Sequence, residues 1–120
     1  MANPNIVNVT SIYGKTVQAA LTTTLTTEII AAPTTGKVYK INSILVANID
    51  GSAAADASVF ITKSGGSPIA IASTIAVPAD ATLSVIDKTN SFYLEEGDNI
   101  EAGASADGDL TITISYEDIS

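Results

Sequence analysis

The 120-residue chain contains no cysteine, no histidine and no tryptophan, and all five of its basic residues are lysines. Without cysteine there can be no disulfide. Without cysteine or histidine, a zinc, copper, haem or iron–sulfur site lacks its preferred donors. The missing histidine also removes the commonest general base near neutral pH, so a serine or threonine nucleophile has no usual partner. These absences argue against most of the common catalytic and metal-dependent enzyme classes.

The charge balance restricts the partners of the chain. Thirteen acidic residues give a formal net charge of −8, and such a field repels nucleic acid and anionic lipid. The lack of arginine removes the side chain that most often reads bases and phosphates in a bidentate way. No apolar run approaches the roughly 20 residues that a membrane-spanning helix needs. We therefore expect neither a nucleic-acid partner nor a membrane partner.

Alternation of apolar and polar residues predicts strands along most of the chain. In Leu110–Tyr116, LTITISY, every second residue is a large apolar one, which is typical of a half-buried strand. Further candidates are Ile6–Tyr13, Thr16–Leu21, Glu28–Ala31, Lys37–Asn48, Ala57–Lys63, Pro68–Val77, Thr82–Asp87, Ser91–Leu94 and Asn99–Ala104. Within Lys37–Asn48 the alternation changes phase, which predicts a bulge, a bend, or burial of both faces at its centre.

Residues 14–32 allow a second interpretation, because their apolar positions approximate helical spacing. The stretch contains six threonines, however, and threonine is unfavourable inside a helix. We therefore favour extended structure here over a helix.

Turn signals separate the candidate strands at intervals of about 8–12 residues. They are PTTG at 33–36, DGS at 50–52, SGGSP at 64–68, PADA at 78–81, EGD at 96–98 and ADGD at 106–109. Asp107-Gly108 is a strong tight-turn pair, and we predict a hairpin there between the Asn99–Ala104 and Leu110–Tyr116 strands. The pattern as a whole predicts an all-β fold: a single-domain antiparallel β-sandwich over residues 1–120, jelly-roll-like in arrangement.

The stretch Phe92–Asp109 concentrates six of the thirteen carboxylates. An EF-hand loop starting at Asp98 would place Ile100 and Ala102 at ligand positions, and neither side chain can bind calcium. Two looser calcium sites stay open, one built from Asp98, Asp107 and Asp109 and one from Asp50 and Asp56. The other interpretation is that these carboxylates serve the turns, since aspartate bonds its own nearby backbone.

Catalytic pairs are poorly supported by the sequence. Glu101 could meet Glu95 or Glu117 on a sheet surface, as glycoside hydrolysis requires of two carboxyl groups, but nothing selects such a pair. The GKT at 14–16 lacks the upstream glycine of a phosphate-binding loop. We therefore assign no catalytic, cofactor-binding or metal-binding residue and predict no cofactor and no enzymatic activity.

Three segments carry a resemblance to a known group of proteins. They are MANPNIVNVTSIYGKT at the start, TGKVYKINSILVANIDG in the middle, and VPADATLSVIDK followed by FYLEEGDNIEAGASADGDLTITISYEDI at the end. The chain resembles, over nearly its whole length, small virion structural proteins of tailed phages, particularly marine cyanophages. This resemblance implies a component of the phage particle, assembled in the host cytoplasm, with the major capsid protein, other virion proteins or copies of itself as partners. No catalytic residue is carried over from it.

Three function classes follow. The first is a capsid decoration (cement) protein that stabilises the major capsid lattice. The second is a tail, collar or fibre module that binds a partner protein or a host glycan, and the third is a hydrolase or carbohydrate-binding domain. Residues 1–13 have two interpretations: an N-terminal arm used in assembly, or an ordinary first strand of the domain's own sheet.

Overall fold

The structure is a computed structural model that describes residues 3–25, 29–30 and 32–120. Within these ranges it contains eight strands, no α-helix, and one 3-10 turn over Lys88–Asn90. The strands are β1 (Ile12–Ala20), β2 (Val38–Asn48), β3 (Ala55–Thr62), β4 (Ile69–Val77), β5 (Thr82–Ile86), β6 (Phe92–Leu94), β7 (Asn99–Ala104) and β8 (Leu110–Ile119). No helix in the described ranges is long and apolar enough to cross a bilayer.

The strands form two antiparallel sheets that pack against each other. The large sheet has the order β1-β8-β2-β5, with β6 also paired to β2, and the small sheet has the order β4-β3-β7. The first and last strands are neighbours and the chain crosses repeatedly between the sheets, as in a jelly roll. The all-β antiparallel sandwich predicted from the alternation is thus confirmed.

The core lies between the sheets and is built mainly from isoleucine, valine, leucine and alanine. In β8, Leu110, Ile112 and Ile114 are fully buried, while the residues between them are half-buried on the outer face. Val59 of β3 and Ile100 of β7 face them from the small sheet and are also fully buried. Period-two alternation therefore places one side of each central strand in the core.

Of the three alternatives for the phase change in Lys37–Asn48, the structure shows the bulge, because the pairing of β2 with β8 shifts register between Ile41 and Ser43. The extra residue, Asn42, moves the apolar side chains on either side of it onto one face. Both Ile41 and Ile44 are fully buried as a result. The phase change in the sequence is the direct signature of this bulge.

The predicted hairpin at Asp107-Gly108 is wrong. Gly108 does turn the chain, with φ +80, but β7 pairs with β3 in the small sheet whereas β8 pairs with β1 and β2 in the large one. The turn therefore carries the chain from one sheet to the other. An Asp-Gly pair indicates a tight reversal of the chain, but it does not determine which strand the next strand pairs with.

The predicted strand over Ile6–Tyr13 is also wrong, since β1 starts only at Ile12 and runs on through the Thr16–Leu21 candidate to Ala20. Asn5 is the physical reason. Its side-chain and backbone oxygens accept hydrogen bonds from the amides of Val7 and Asn8, which closes a local turn. Extended structure, and not a helix, is confirmed for 12–20. Half of the Glu28–Ala31 candidate lies outside the described residues, and its described members, Ile29 and Ile30, form a bend.

Candidate interaction surface

The acidic stretch serves mainly as a set of turns, and Asp98 is its structural centre. The Asp98 side chain is almost completely buried. Its Oδ1 accepts a hydrogen bond from the Ser64 amide at 2.9 Å, and its Oδ2 accepts one from the Glu95 amide at 2.9 Å. Lys63 Nζ donates to the same Oδ2 at 2.6 Å. A buried carboxylate needs such partners to offset its lost hydration, and this one ties the β6–β7 turn to the end of β3.

Lys63 also forms an ion pair with Glu95, which in turn accepts a hydrogen bond from Asn3 Nδ2 at 2.6 Å. The hydrogen bond to Asp98 and then that to Glu95 raise the pKa of Lys63 above its ordinary value. A protonated amine is not a nucleophile. The Lys63–Asp98–Glu95 cluster is therefore a structural link, in which one lysine is shared by two carboxylates, and not a reactive lysine site.

The structure bears on both candidate calcium sites, the one built from Asp98, Asp107 and Asp109 and the one built from Asp50 and Asp56. Asp98 and Asp107 lie at opposite ends of β7, whose six residues span about 20 Å, so these two cannot share an ion. Asp107 Oδ1 accepts from the Thr23 amide at 2.8 Å. Asp50 Oδ1 accepts from both the amide and the hydroxyl of Ser52. Among the described residues no group of three or more acidic side chains is arranged to hold a metal ion.

The candidate catalytic pairs are likewise separated or engaged elsewhere. Glu101 lies on β7 of the small sheet and accepts from Thr62 Oγ1, whereas Glu117 lies on β8 of the large sheet and accepts from Asn42 Nδ2. Both residues are on half-buried outer-face positions of their strands, so they point to opposite sides of the sandwich. Glu95 is occupied by Lys63. The GKT of residues 14–16 lies within β1 and forms no loop.

A second buried carboxylate, Asp118, was not singled out from the sequence. Lys15 Nζ lies 2.9 Å and Lys37 Nζ 3.7 Å from its Oδ2. Beside it the Tyr39 and Tyr116 rings pack with centroids 4.9 Å apart, and burial raises the pKa of Tyr39. The cluster links the edge strand β1 to the two central strands. Its only sequence signal is an aspartate at an inward position of an alternating strand.

The edges of the two sheets differ in how well they are covered. In the large sheet, two short strands, β5 and β6, pair with β2 and so cover the side of β2 that faces away from β8. In the small sheet, Thr22 accepts a hydrogen bond from the Ala104 amide, and Leu25 packs over Gly103, so β7 is covered by residues 22–25. The remaining edges are β5, which has five residues, and the two long strands β1 and β4, each nine residues long. In the described part of the chain no strand pairs with their outer sides.

Both long open edges carry exposed apolar side chains. On β1 these are Ile12 and Tyr13, each more than half exposed, and on β4 they are Ile69, Ile71 and Ile75. The chain before β1 adds Ile6 and Val7, the latter 92% exposed. Exposed apolar residues that are scattered singly are ordinary, but a run along an unpaired strand edge marks a surface that can pair with another chain.

An open cavity of about 320 Å³ lies on the outer side of the small sheet. Its described lining includes the Phe60 ring, the Asp56 carboxylate and several hydroxyl groups, those of Thr23, Ser58, Ser73, Thr74 and Ser105. Thr74 has φ +47, and its amide donates to Ser58 Oγ at 3.0 Å. A hydroxyl-rich hollow with one aromatic wall can hold a small polar molecule.

Compared with known proteins, the chain matches no protein-family model, and no curated protein matches it significantly.

Proposed function

We propose that this protein is a non-enzymatic structural component of a tailed-phage virion, and specifically a capsid decoration protein that stabilises the major capsid lattice. It would act by pairing its open strand edges with copies of itself or with a capsid protein. The observation that carries the proposal is the pair of long, uncovered strand edges, β1 and β4, each of which carries exposed apolar side chains. Main-chain hydrogen bonds along such an edge supply affinity without charged contacts.

The way the ionisable side chains are used supports a structural role. Three of the five lysines, Lys15, Lys37 and Lys63, bind the buried carboxylates Asp98 and Asp118. Asp50, Asp87 and Asp107 accept hydrogen bonds from backbone amides in turns. These groups hold the sandwich in one shape, and none of them is presented to a substrate. Jelly rolls occur in viral capsid proteins and also in lectins, so the fold supports this role by analogy alone.

The N-terminal segment (residues 3–11) is the second element that we assign to assembly. It is not a strand in the described structure. Asn3 bonds Glu95, Thr10 and Ser11 bond the Ser120 carbonyl, and Pro4 and Ile6 lie beside Val38 and Tyr93 around one hollow. Ile6 and Val7 between these points are exposed. A segment that exposes apolar side chains and has few hydrogen bonds to its own domain can move onto a neighbouring molecule at small cost to its own fold.

Deletion of residues 1–8 tests this assignment. The truncated chain keeps Thr10, Ser11 and all eight strands, so its unfolding free energy should stay close to that of the full chain. Its binding to particles that lack the protein should be lost. A control variant with Asn3→Ala breaks the bond to Glu95 but keeps the apolar residues, and it should still bind. A truncated protein that folds and binds normally would overturn the assignment.

A second candidate function, a tail or fibre module that binds a host glycan, is favoured by the cavity beside Phe60. Sugars bind through hydroxyl and carboxylate groups and stack on aromatic rings. A glycan array probed with the labelled protein, with Phe60→Ala as control, tests this. Binding that disappears in the variant would favour the glycan role over the capsid role.

A further inference from the structure

The sequence of β4 is nearly symmetric about its centre. The strand reads IAIASTIAV, and residues at equal distances from Ser73 are alike: Ile71 matches Ile75, and Ala70 matches Ala76. At its ends Ile69 matches Val77. Two copies of a strand placed antiparallel around a two-fold axis bring these positions opposite each other. Such a strand is complementary to itself.

The charge distribution favours the same pairing. The chain carries a net charge of −8, yet no residue from 64 to 79 is charged. Two copies that meet along β4 therefore bring no carboxylates together. Natural edge strands are usually protected by charged residues, prolines or β-bulges. β4 contains no charged residue and no proline, and the irregular pairing with β3 is its one device of this kind.

The other long open edge lacks these properties. Around the centre of β1, Thr16, a two-fold axis would set Lys15 opposite Val17 and Gly14 opposite Gln18. Lys15 is, in addition, bound to Asp118. A self-complementary edge is therefore found on β4 and not on β1.

A bulge divides the β4 edge into two parts. Ala57 pairs with Ile75, Val59 with Ala72 and Phe60 with Ala70, so the register shifts around Ser73 and Thr74 and again at Ile71. The two-fold axis would pass through the bulge at Ser73 and Thr74. Pairing would then be carried by the flanks Ile69–Ile71 and Ile75–Val77, where each flank of one copy meets the opposite flank of the other.

We infer that the protein forms a two-fold symmetric dimer in which the β4 strands of two copies pair antiparallel around Ser73. The two three-stranded small sheets then join into one continuous six-stranded sheet. Ile69, Ile71 and Ile75, exposed in the single chain, face apolar side chains of the second copy. This inference rests on the edge pairing of the proposed function and names the copy and the strand that carry it.

Single cysteines test the register directly, because the chain has no cysteine of its own. Residues opposite each other in an antiparallel pair have Cβ atoms about 4.5–5.5 Å apart, within reach of a disulfide or a short bis-maleimide. Ser73→Cys should therefore give a covalent dimer and nothing larger. The control is Ser84→Cys, which puts a cysteine on β5, an exposed edge position of the large sheet, and it should form no covalent dimer under the same oxidation.

Sedimentation equilibrium measures how stable the dimer is, with substitutions at the same two positions, Ser73 and Ser84. The unmodified protein should be a dimer, and Ser73→Glu, which sets two carboxylates opposite each other, should be a monomer at the same concentration. Ser84→Glu should remain a dimer. A monomeric unmodified protein, a dimer that Ser73→Glu leaves intact, or equal cross-linking at both cysteines would overturn the inference.

This test separates the inference from the proposed function. If β4 does not pair but the full chain still binds particles and the chain without residues 1–8 does not, the proposed function stands and the β4 dimer is wrong. If the dimer forms and no particle contains the protein, the proposed function is wrong and the dimer stands.

Discussion

Lys63 Nζ lies 2.6 Å from Oδ2 of Asp98, a carboxylate whose side chain is 1% exposed. Lys63 is at the end of β3, and Asp98 is in the turn before β7. One ion pair therefore fixes the end of β3 to the turn that leads into β7, and both strands belong to the small sheet. The acidic stretch is thus held in place by a base that is distant in sequence.

Removal of Lys63 should destabilise the fold clearly. Breaking a fully buried ion pair costs about 3–5 kcal/mol, but Lys63 is half exposed and water can reach the vacated position. We expect Lys63→Met to lower the unfolding free energy by about 2 kcal/mol, measured by chemical denaturation. The control is Lys88→Met, because Lys88 is exposed and forms no ion pair within the described ranges. Equal effects of the two variants would contradict the structural role of the Lys63–Asp98 pair.

Gly97 and Gly108 form a matched pair for testing the two turns. Both have φ +80, but a Cβ at Gly97 would lie 2.8 Å from Ser64 Oγ, whereas one at Gly108 would meet nothing within 4 Å. Gly108→Ala should therefore cost about 1 kcal/mol from the backbone alone. Gly97→Ala should cost more, because Ser64 must also move. A cost at Gly108 that equals or exceeds the cost at Gly97 would show that the turn at Ser64 is not packed as described.

The pH dependence of stability follows from the same cluster. The hydrogen bond from Lys63 lowers the pKa of Glu95 below its ordinary value of 4.5. A lowered folded-state pKa gives a stabilisation that is present above pH 4.5 and is lost as the pH falls through the folded-state value. The difference in unfolding free energy between the unmodified protein and Glu95→Gln should therefore shrink below pH 4.5. A difference that is constant from pH 7 to pH 3 would exclude this coupling.

At alkaline pH the unfolding free energy changes with pH in the opposite direction, because there the titrating group is a lysine. The pKa of Lys63 is raised above 10.5, chiefly by its hydrogen bond to Asp98. That stabilisation is complete below pH 10.5 and is lost as the pH rises through the folded-state value. Unfolding followed between pH 9 and pH 12 should show a decline that is smaller in Lys63→Met, where Lys15, whose pKa is raised by its hydrogen bond to Asp118, still contributes. An equal decline in both proteins would contradict the coupling.

Chelation should leave the melting temperature unchanged. The described residues contain no acidic group of three or more arranged for a metal, and Asp98 is bound to Lys63. A melting curve with and without EDTA measures this. A large drop in melting temperature would assign a structural cation to carboxylates such as Asp50 and Asp56.

The alternation of apolar residues predicted the strands well because it is a local property. Leu110–Tyr116 and Asn99–Ala104 alternate, and both are strands. Which strands become neighbours is set by packing between distant segments, and this is why Asp107-Gly108 marked a turn correctly but suggested the wrong partner. Ile6–Tyr13 failed for a local reason, since the Asn5 turn outweighed the β-prone residues after it.

The candidate surface could be predicted only in part. The symmetry of IAIASTIAV is visible in the sequence, but that β4 is an edge strand follows from the sheet order alone. Asp98 and Asp118 resemble any other carboxylate in the sequence. Their burial becomes evident only when Lys63 and Lys15 are placed beside them.

The copy number of this protein in purified phage particles tests the central claim most directly. Quantitative mass spectrometry of particles from the host lysate, scaled to the major capsid protein, measures it. A decoration protein that covers the capsid lattice should be present in hundreds of copies per particle. Tens of copies or fewer would indicate a tail component, and absence from the particles would contradict the proposed function.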